Sequence, residues 1–200
     1  MNDYDFERVC RCFQDSIQSS RNCLNDAKCI GDIAIVSRRL TDIIKDGGLV
    51  AVFGNGGSAT DAQHFVGELV GKFKFERRPI RSVCLSDNIA SLTAIANDYT
   101  YSSVFSRQVE AFVKSGDMAI GISTSGKSLN IMNALIKAKE IGAYTVMLTG
   151  DNELNYRFVD VTLRAKSKDT PIIQNVHIII LHAIAMIVEE NLFGNKEKHA

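Results

Sequence analysis

Leu49–Glu68 reads LVAVFGNGGSATDAQHFVGE, and this stretch decides the fold. Its first five residues are apolar and predict a short buried strand. The glycine-rich turn Gly54–Ser58 permits positive φ angles and a close approach of the backbone to a ligand. Apolar residues then recur at helical spacing from Ala62 to Val70, which predicts a helix. A strand, a glycine-rich turn and a helix in this order point backbone N–H groups at an anion, so the stretch predicts an anion-binding site.

The same predicted helix carries two residues that can do chemistry. His64 and Glu68 are four residues apart and therefore lie on one helix face, about one turn beyond the glycine-rich turn. Taken alone, such a pair is more often a solvated surface pair. His177 and His182 lie in an apolar segment, where a hydrogen-bonded core histidine is the ordinary interpretation.

Composition excludes several classes of protein. The 200 residues are 46% hydrophobic and 23% charged, which is typical of a folded chain rather than a disordered one. Lys+Arg 23 balance Asp+Glu 23, so charge gives no reason to expect nucleic acid or a membrane surface as partner. The longest apolar run, Val176–Val188, is shorter than the roughly 18–20 residues of a membrane span. The polar N-terminus predicts no secretory signal, and five cysteines without a Cys-x-x-Cys predict a reduced, cytoplasmic protein.

Strand and helix patterns alternate along the rest of the chain. They predict two N-terminal helices within residues 1–46 and a final helix over 170–192, with a flexible tail at 194–200. The predicted strands are 49–53, 81–86, 118–122, 144–148 and 159–163, and the intervening helices are 58–75, 88–97, 101–113 and 129–141. This alternation predicts one α/β domain over residues 1–200, with a mostly parallel sheet and its ligands beyond the carboxyl ends of the strands.

Two nucleotide-binding patterns are present and stay open as alternatives. Gly54–Ala59 matches the dinucleotide fingerprint G-x-G-x-x-G/A, with Asp87 as a candidate ribose acid. Gly121–Ser128 matches the P-loop pattern G-x-x-x-x-G-K-[ST], although Gly121 falls inside a predicted strand and only Asp151 is near as a magnesium ligand. Each pattern explains one loop and leaves the other unexplained.

A third interpretation uses both loops together. The hydroxyls of Ser123–Ser125 and Ser128 stand at a predicted helix N-terminus, which suits a phosphomonoester. Four motifs then occur in order along nearly the whole chain: Asn55-Gly56-Gly57-Ser58 with His64-x-x-x-Glu68, Asn97-Asp98, Ser123-Thr124-Ser125-Gly126-x-Ser128, and Gln174 with His182. In these residues the chain resembles the sugar isomerase (SIS) domain family, and within it the phosphoheptose isomerases.

The resemblance implies a flavodoxin-like three-layer sandwich with a five-stranded, mostly parallel sheet and an N-terminal helical segment. It implies an aldose–ketose isomerase that converts sedoheptulose 7-phosphate to D-glycero-D-manno-heptose 7-phosphate through an enediol. That reaction supplies heptose to surface polysaccharide, including lipopolysaccharide. A homotetramer with active sites at subunit contacts, and one zinc ion per site, are implied as well.

Residue roles follow from the same resemblance. Glu68 is implied as the catalytic base and His182 as its acid/base partner. The implied zinc ligands are His64, Glu68, Gln174 and His182. The implied substrate contacts are Asn55, Gly56, Gly57, Ser58, Glu68, Asn97, Asp98, Ser123, Thr124, Ser125, Ser128 and Gln174.

Three positions depart from the pattern of the family. Ile172 and Asn175 stand where relatives often carry Arg and Glu, and Lys127 stands where Asn is usual, so that it adds a cation beside the phosphate loop. Some relatives in the superfamily are interaction proteins, for example tetramers that bind a replication initiator. They lack the glutamate and histidine pair, so the presence of Glu68 and His182 favours an enzyme.

Helix geometry adds an expectation about assembly. Gln174 and His182 are eight residues apart, so on a straight helix their backbones are separated by about 12 Å and by about 80° around the axis. One metal ion would be hard for both side chains to reach. Either the helix is irregular near Pro171, or the site is shared between chains of an oligomer.

Overall fold

The computed structural model describes residues 3–194, whose five strands form one parallel sheet between two layers of helices. The strands are β1 Val50–Gly54, β2 Ser82–Cys84, β3 Met118–Ile122, β4 Tyr144–Thr149 and β5 Val161–Arg164. The helices are α1 Asp3–Leu24, α2 Ala27–Lys45, α3 Gly57–Val70, α4 Ile89–Asp98, α5 Ser106–Phe112, α6 Leu129–Ile141 and α7 Thr170–Phe193, with a short 3-10 helix at Tyr101–Ser103.

The sheet has the strand order β2-β1-β3-β4-β5, and every neighbouring pair is parallel. This is the flavodoxin-like order, whose switch point lies between β1 and β3. The predicted fold class is therefore confirmed, and the sheet is parallel throughout the described residues.

Both faces of the sheet are covered, which explains why its central strands read as continuous apolar runs. All five residues of β1 and all five of β3 are buried. Val50 and Val52 pack with α2, α3 and α7 on one side, while Ala51 and Phe53 pack with α5 and α6 on the other. The strand period of two thus divides the core into two clusters.

Local signals set most of the helix ends. The Asp26 side chain accepts hydrogen bonds from the backbone N–H groups of Lys28 (2.9 Å) and Cys29 (3.3 Å) and so caps α2. Gly142, with φ +93°, ends α6, and Pro171 occupies the first turn of α7.

Two predicted helices differ from the observed ones. The helix expected over 58–75 ends at Val70, because the segment after it turns away to bond with α7. The helix expected over 101–113 is a 3-10 turn followed by α5, with Val104 and Phe105 buried between them.

Helix α7 is long and apolar enough to cross a membrane by length and composition, which the apolar-run count from the sequence alone did not indicate. Half of the most apolar 18-residue stretch of α7 is buried inside the fold. Its buried residues belong to the core cluster that also contains residues of α2, α3 and the sheet. These are the contacts of a core helix. Of the tail predicted at 194–200, only Gly194 falls among the described residues, where it ends α7.

Candidate active site

The two predicted ligand loops lie side by side. β1 and β3 are adjacent and in register, with Gly54 opposite Ile122 at their carboxyl ends. The loop Asn55–Gly56 that leads into α3 and the loop Ser123–Ser128 that leads into α6 therefore emerge at the same edge of the sheet, at the switch point where ligands bind in such folds.

The first loop is closed by a residue of α7. Gly56 precedes α3 with φ +53°, a conformation that favours glycine. At Gly57 a Cβ would lie 2.9 Å from Cδ of Gln174, so the Gln174 amide occupies the space beside this glycine. The resemblance to the family implied Gln174 as a site residue, and the structure brings it to this loop.

The second loop is organised by its own hydroxyl groups. Ser123 Oγ donates to Ser128 Oγ (3.1 Å), and Lys127 N–H donates to Ser125 Oγ (3.2 Å). Gly126 has φ +68°. The carbonyl of Thr124 accepts from the N–H of Gly150 (3.0 Å), which ties the loop to the end of β4. The loop thus presents hydroxyls at the N-terminus of α6, as predicted.

The P-loop alternative fails at its first glycine. Gly121 is a buried residue inside β3, where a Cβ would approach Ile131 to 2.8 Å and Leu135 to 3.0 Å. Its small size serves the packing of α6 on the sheet. The match to G-x-x-x-x-G-K-[ST] is therefore explained by strand packing and a serine-rich loop.

Two residues that the sequence analysis missed join the loops. Asn130, which is buried in the first turn of α6, exchanges two hydrogen bonds with Asn55: Asn55 Nδ2 to Asn130 Oδ1 (2.9 Å) and Asn130 Nδ2 to Asn55 Oδ1 (2.8 Å). Tyr101 Oη also donates to Asn55 Oδ1 (2.9 Å). A polar residue on the sheet-facing side of a helix was the only sequence signal for Asn130.

Three of the four implied metal ligands converge. His64 Nε2 lies 3.2 Å from Glu68 Oε1 and 2.9 Å from His182 Nε2, and one donor atom from each residue lies within 4.8 Å of the others. His64 and Glu68 meet because they are one turn apart on α3, and His182 meets them because α7 packs against α3. Glu68 is 25% exposed and His64 47% exposed at the side chain, so the cluster is open to small molecules.

Neighbouring residues complete the surroundings of this cluster. The ring of Phe73 lies 5.7 Å from the ring of His182, centroid to centroid. Asp61 lies one turn before His64, and its Oδ2 is buried without a hydrogen-bond partner among the described residues. Burial raises the pKa of Asp61 to about 6, although the nearby His64 imidazole pulls it downward. The spacing of three residues from His64 was the signal that could have pointed to Asp61.

The donor set fits a divalent metal such as zinc. Two imidazole nitrogens and one carboxylate oxygen are the ligands of many catalytic zinc sites, which keep a further position open. All three come from one chain, so sharing between chains is not needed for His64, Glu68 and His182. α7 is one continuous helix in which Gln174 reaches the loop at Gly57, and its membership of a metal site stays a prediction.

Asn97 and Asp98 were also predicted as site residues, and they lie at the end of α4. Both are exposed, and they bond to each other (2.9 Å). Of the two departures on α7, Ile172 is buried in the core and Asn175 donates to Ser16 Oγ on α1 (3.0 Å). His177 is fully buried with its Nε2 3.1 Å from the carbonyl of Thr149, which confirms it as a core histidine.

The chain is similar in sequence and in structure to proteins of one known family. The SIS domain family model matches residues 15–150. The chain belongs to the SIS domain family. A phosphoheptose isomerase of Clostridium acetobutylicum is 44% identical to this chain over 90% of the chain and 93% of the relative. One from Geobacter sulfurreducens is 47% identical over 82% and 87%. The solved structure of a phosphoheptose isomerase from Francisella tularensis has a TM-score of 0.86 at 30% identity and covers 93% of this chain and 98% of its own.

Within the SIS family, the chain therefore groups with the phosphoheptose isomerases, as the motifs indicated. The dinucleotide and non-catalytic alternatives are not favoured. The relatives named above are phosphoheptose isomerases, and His64, Glu68 and His182 form one cluster in this chain.

Proposed function

We propose that the protein is a phosphoheptose isomerase that interconverts sedoheptulose 7-phosphate and D-glycero-D-manno-heptose 7-phosphate. The observation that carries the proposal is the cluster of His64, Glu68 and His182 beside two serine- and glycine-rich loops at one edge of the sheet. The product supplies heptose to surface polysaccharide, lipopolysaccharide included, and the reaction takes place in the cytoplasm.

The roles follow from chemistry and position. Ser123, Thr124, Ser125 and Ser128 bind the phosphate, while Asn55–Ser58, Asn97, Asp98 and Gln174 hold the sugar chain. Isomerisation moves one proton between C1 and C2 through a cis-enediol, with no net gain or loss of electrons. Glu68 carries this carbon-bound proton, and His182 shuttles the proton between the two hydroxyl oxygens.

We also propose zinc as the cofactor, held by His64, Glu68 and His182 with Gln174 as a further ligand. A zinc ion held by these residues would supply polarisation of the substrate carbonyl and stabilisation of negative charge on its oxygen. Glu68 has two carboxylate oxygens and His182 has two ring nitrogens, so each residue would keep one atom for proton transfer while its other atom holds the ion. His64 would hold the ion and has no role in proton transfer in this scheme.

An assay of isomerase activity with and without zinc tests both proposals. Purified protein is incubated with sedoheptulose 7-phosphate, and the aldose phosphate is followed by NMR, first after treatment with a chelator and then with added Zn²⁺. We expect conversion with zinc and little without it. Conversion at the same rate in both samples would remove zinc from the proposal, and no conversion in either would refute the isomerase.

A homotetramer is part of the proposal, and the exposed apolar face of α1 supports it. Phe6, Val9, Phe13 and Ile17 recur at helical spacing and are 57%, 57%, 68% and 49% exposed. Ile179 on the neighbouring α7 is 53% exposed, and α4 is an apolar helix without a buried residue. An exposed apolar helix face of this kind supports a contact with another protein chain. Sedimentation should give a tetramer, and Phe13→Asp should dissociate it; a monomeric wild type would refute the assembly.

The domain organisation stays a prediction. One SIS domain over residues 1–200, with residues 1–46 as its N-terminal helices, is proposed; the family model covers residues 15–150 of it. Limited proteolysis should leave one resistant fragment that retains both α1 and α7.

A further inference from the structure

A buried ion pair joins α7 to the segment that follows α3, and α3 and α7 are the helices that carry the cluster. Glu189 lies on α7, seven residues after His182, and Arg77 lies on the segment that follows α3. Arg77 Nε is 2.9 Å from Glu189 Oε1, and both side chains are only 1% exposed. A buried ion pair is a weak source of stability, because desolvation cancels most of the attraction. Its position in the fold therefore needs another explanation.

Glu189 accepts three backbone hydrogen bonds from the segment that follows α3. Its Oε1 accepts from the N–H of Phe73 (3.0 Å), and its Oε2 accepts from the N–H groups of Lys74 (2.6 Å) and Phe75 (3.1 Å). Burial alone would raise the pKa of this carboxyl, but these three bonds and the Arg77 guanidinium hold it below its usual range. The carboxylate is therefore ionised, and each bond is charge-assisted.

Arg77 holds the end of α3 itself. Its Nη2 donates to the carbonyl of Glu68 (2.7 Å), and its Nη1 donates to the carbonyls of Leu69 (2.8 Å) and Gly71 (3.0 Å). The last carbonyls of a helix have no partner within the helix, and a cation there also complements the helix dipole. One of these carbonyls belongs to Glu68, which the proposed mechanism uses as the base.

The same segment touches the other helix of the site. Phe73 is bonded to Glu189 through its backbone N–H, and its ring lies 5.7 Å from the ring of His182. Glu189 thus reaches His182 through Phe73, and Arg77 reaches Glu68 through the backbone of α3. A movement of either ion-pair partner would change the separation between Glu68 and His182.

We propose that Arg77 and Glu189 are positioning residues whose ion pair fixes the carboxyl end of α3 against α7 and so sets the spacing of His64, Glu68 and His182. The inference rests on the proposed function, because it assigns these residues to that reaction. Neither residue contacts the substrate in this scheme. They act on turnover through the geometry of the cluster.

The test compares Glu189→Gln and Arg77→Lys with a matched control, Asp117→Asn. Asp117 is also a buried carboxylate that accepts backbone N–H groups, from Leu49 (2.8 Å) and Lys114 (2.7 Å), but at the opposite edge of the sheet. We expect kcat to fall about 10–100-fold in the two site variants with KM within about twofold, because the phosphate loop lies on other elements. In the control, kcat should stay at the wild-type value.

A second readout needs neither substrate nor metal. The imidazole NMR signals of His64 and His182, assigned with His64→Gln and His182→Gln, are recorded in metal-free protein. Both signals should shift in Glu189→Gln and Arg77→Lys and remain in place in Asp117→Asn. Absence of turnover in the wild type would refute the proposed function but leave this readout valid.

Phe73→Leu serves if the ion-pair variants do not fold. It keeps the backbone bond to Glu189 and removes only the ring beside His182, and we expect a shifted His182 signal with a lower kcat. The proposal is overturned if folded Glu189→Gln and Arg77→Lys match Asp117→Asn in kcat and in both imidazole signals. It is also overturned if Phe73→Leu, used in their place, leaves the His182 signal and kcat unchanged.

Discussion

The two halves of the candidate site are built differently. The serine and glycine loops after β1 and β3 depend on local backbone geometry and on the pairing of two central strands. The cluster of His64, Glu68 and His182 depends on the packing of α3 against α7, because His64 and His182 are 118 residues apart in sequence. The proposed phosphate loop forms wherever this sheet forms, whereas the proposed chemistry needs α3 and α7 packed in one particular register. Substitutions in the two halves should therefore have separable effects on KM and kcat.

The largest difference between the effects on kcat and on KM is expected for Glu68→Gln. The substitution keeps the size of the side chain and removes the proposed base, so kcat should fall about 10²–10⁴-fold while KM changes little. Steady-state kinetics checks this, with the exposed Glu76→Gln as a control that keeps the wild-type kcat. A near wild-type rate for Glu68→Gln would make Glu68 a surface residue and break the comparison.

Substitutions in the loops should change KM more than kcat. Ser123→Ala with Ser125→Ala removes two hydroxyls of the proposed phosphate loop, and hydrogen bonds to charged groups are worth about 1.5–3 kcal/mol each. KM should rise about 100-fold or more, with a smaller change in kcat. Ser115→Ala, at the other edge of the sheet, is the control. Loss of nucleotide hydrolysis in this variant, with Lys127→Ala equally damaging, would instead revive the P-loop interpretation.

His177 and His182 lie on the same helix, α7, but only His177 is buried in the core, and this difference can be tested. Burial lowers the pKa of His177 to about 4, below the value of about 6.5 in an unfolded chain, although its bond to the Thr149 carbonyl opposes the shift. The unfolded state therefore binds more protons between these values. The contribution of neutral His177 to the free energy of unfolding is therefore complete above pH 6.5 and is lost as the pH falls toward 4. At pH 5 the loss is about 2 kcal/mol.

The measurement is the unfolding free energy of wild type and His177→Gln between pH 7.5 and pH 5. Gln keeps a donor for the Thr149 carbonyl and does not titrate. The wild type should therefore lose about 2 kcal/mol of unfolding free energy relative to the variant as the pH falls to 5. The pKa of Asp61 is raised, so Asp61 acts in the opposite direction and is common to both proteins. A difference that does not vary with pH would mean that His177 is charged or exposed.

The smallest expected effect is the recovery of activity when Glu68→Gln and His182→Ala are mixed after mild dissociation and reassociation. Both residues belong to the same cluster within one chain, so hybrid oligomers should show no rescue. Rescue would show that the active cluster takes its residues from two chains, and the single-chain account of the helical half would fail.

The sequence predicted the loop half more completely than the helical half. Gly54–Ser58 and Ser123–Ser128 were recognised from local patterns, and both lie where the parallel sheet places them. Asn130 and Tyr101, which bond Asn55, were missed because their partners are distant in sequence. Arg77 and Glu189 were missed for the same reason: each appears in the sequence as an ordinary surface charge.

The sequence by itself determined the order of strands and helices, the two loops and the pairing of His64 with Glu68, because these follow from contacts within a few residues. It also supplied the motifs that place the chain in its family. The resemblance implied that His182 belongs with His64 and Glu68, and the apolar setting favoured a core position for His177. Only the tertiary structure shows the contacts that separate them, and it alone decided that Gln174 lies beside Gly57 in the first loop. The three residues occupy one apolar helix, and their differences arise from what packs against each face of it. A helical period gives the faces of α7 but not their partners, since those come from α3, β4 and the loop at Gly57.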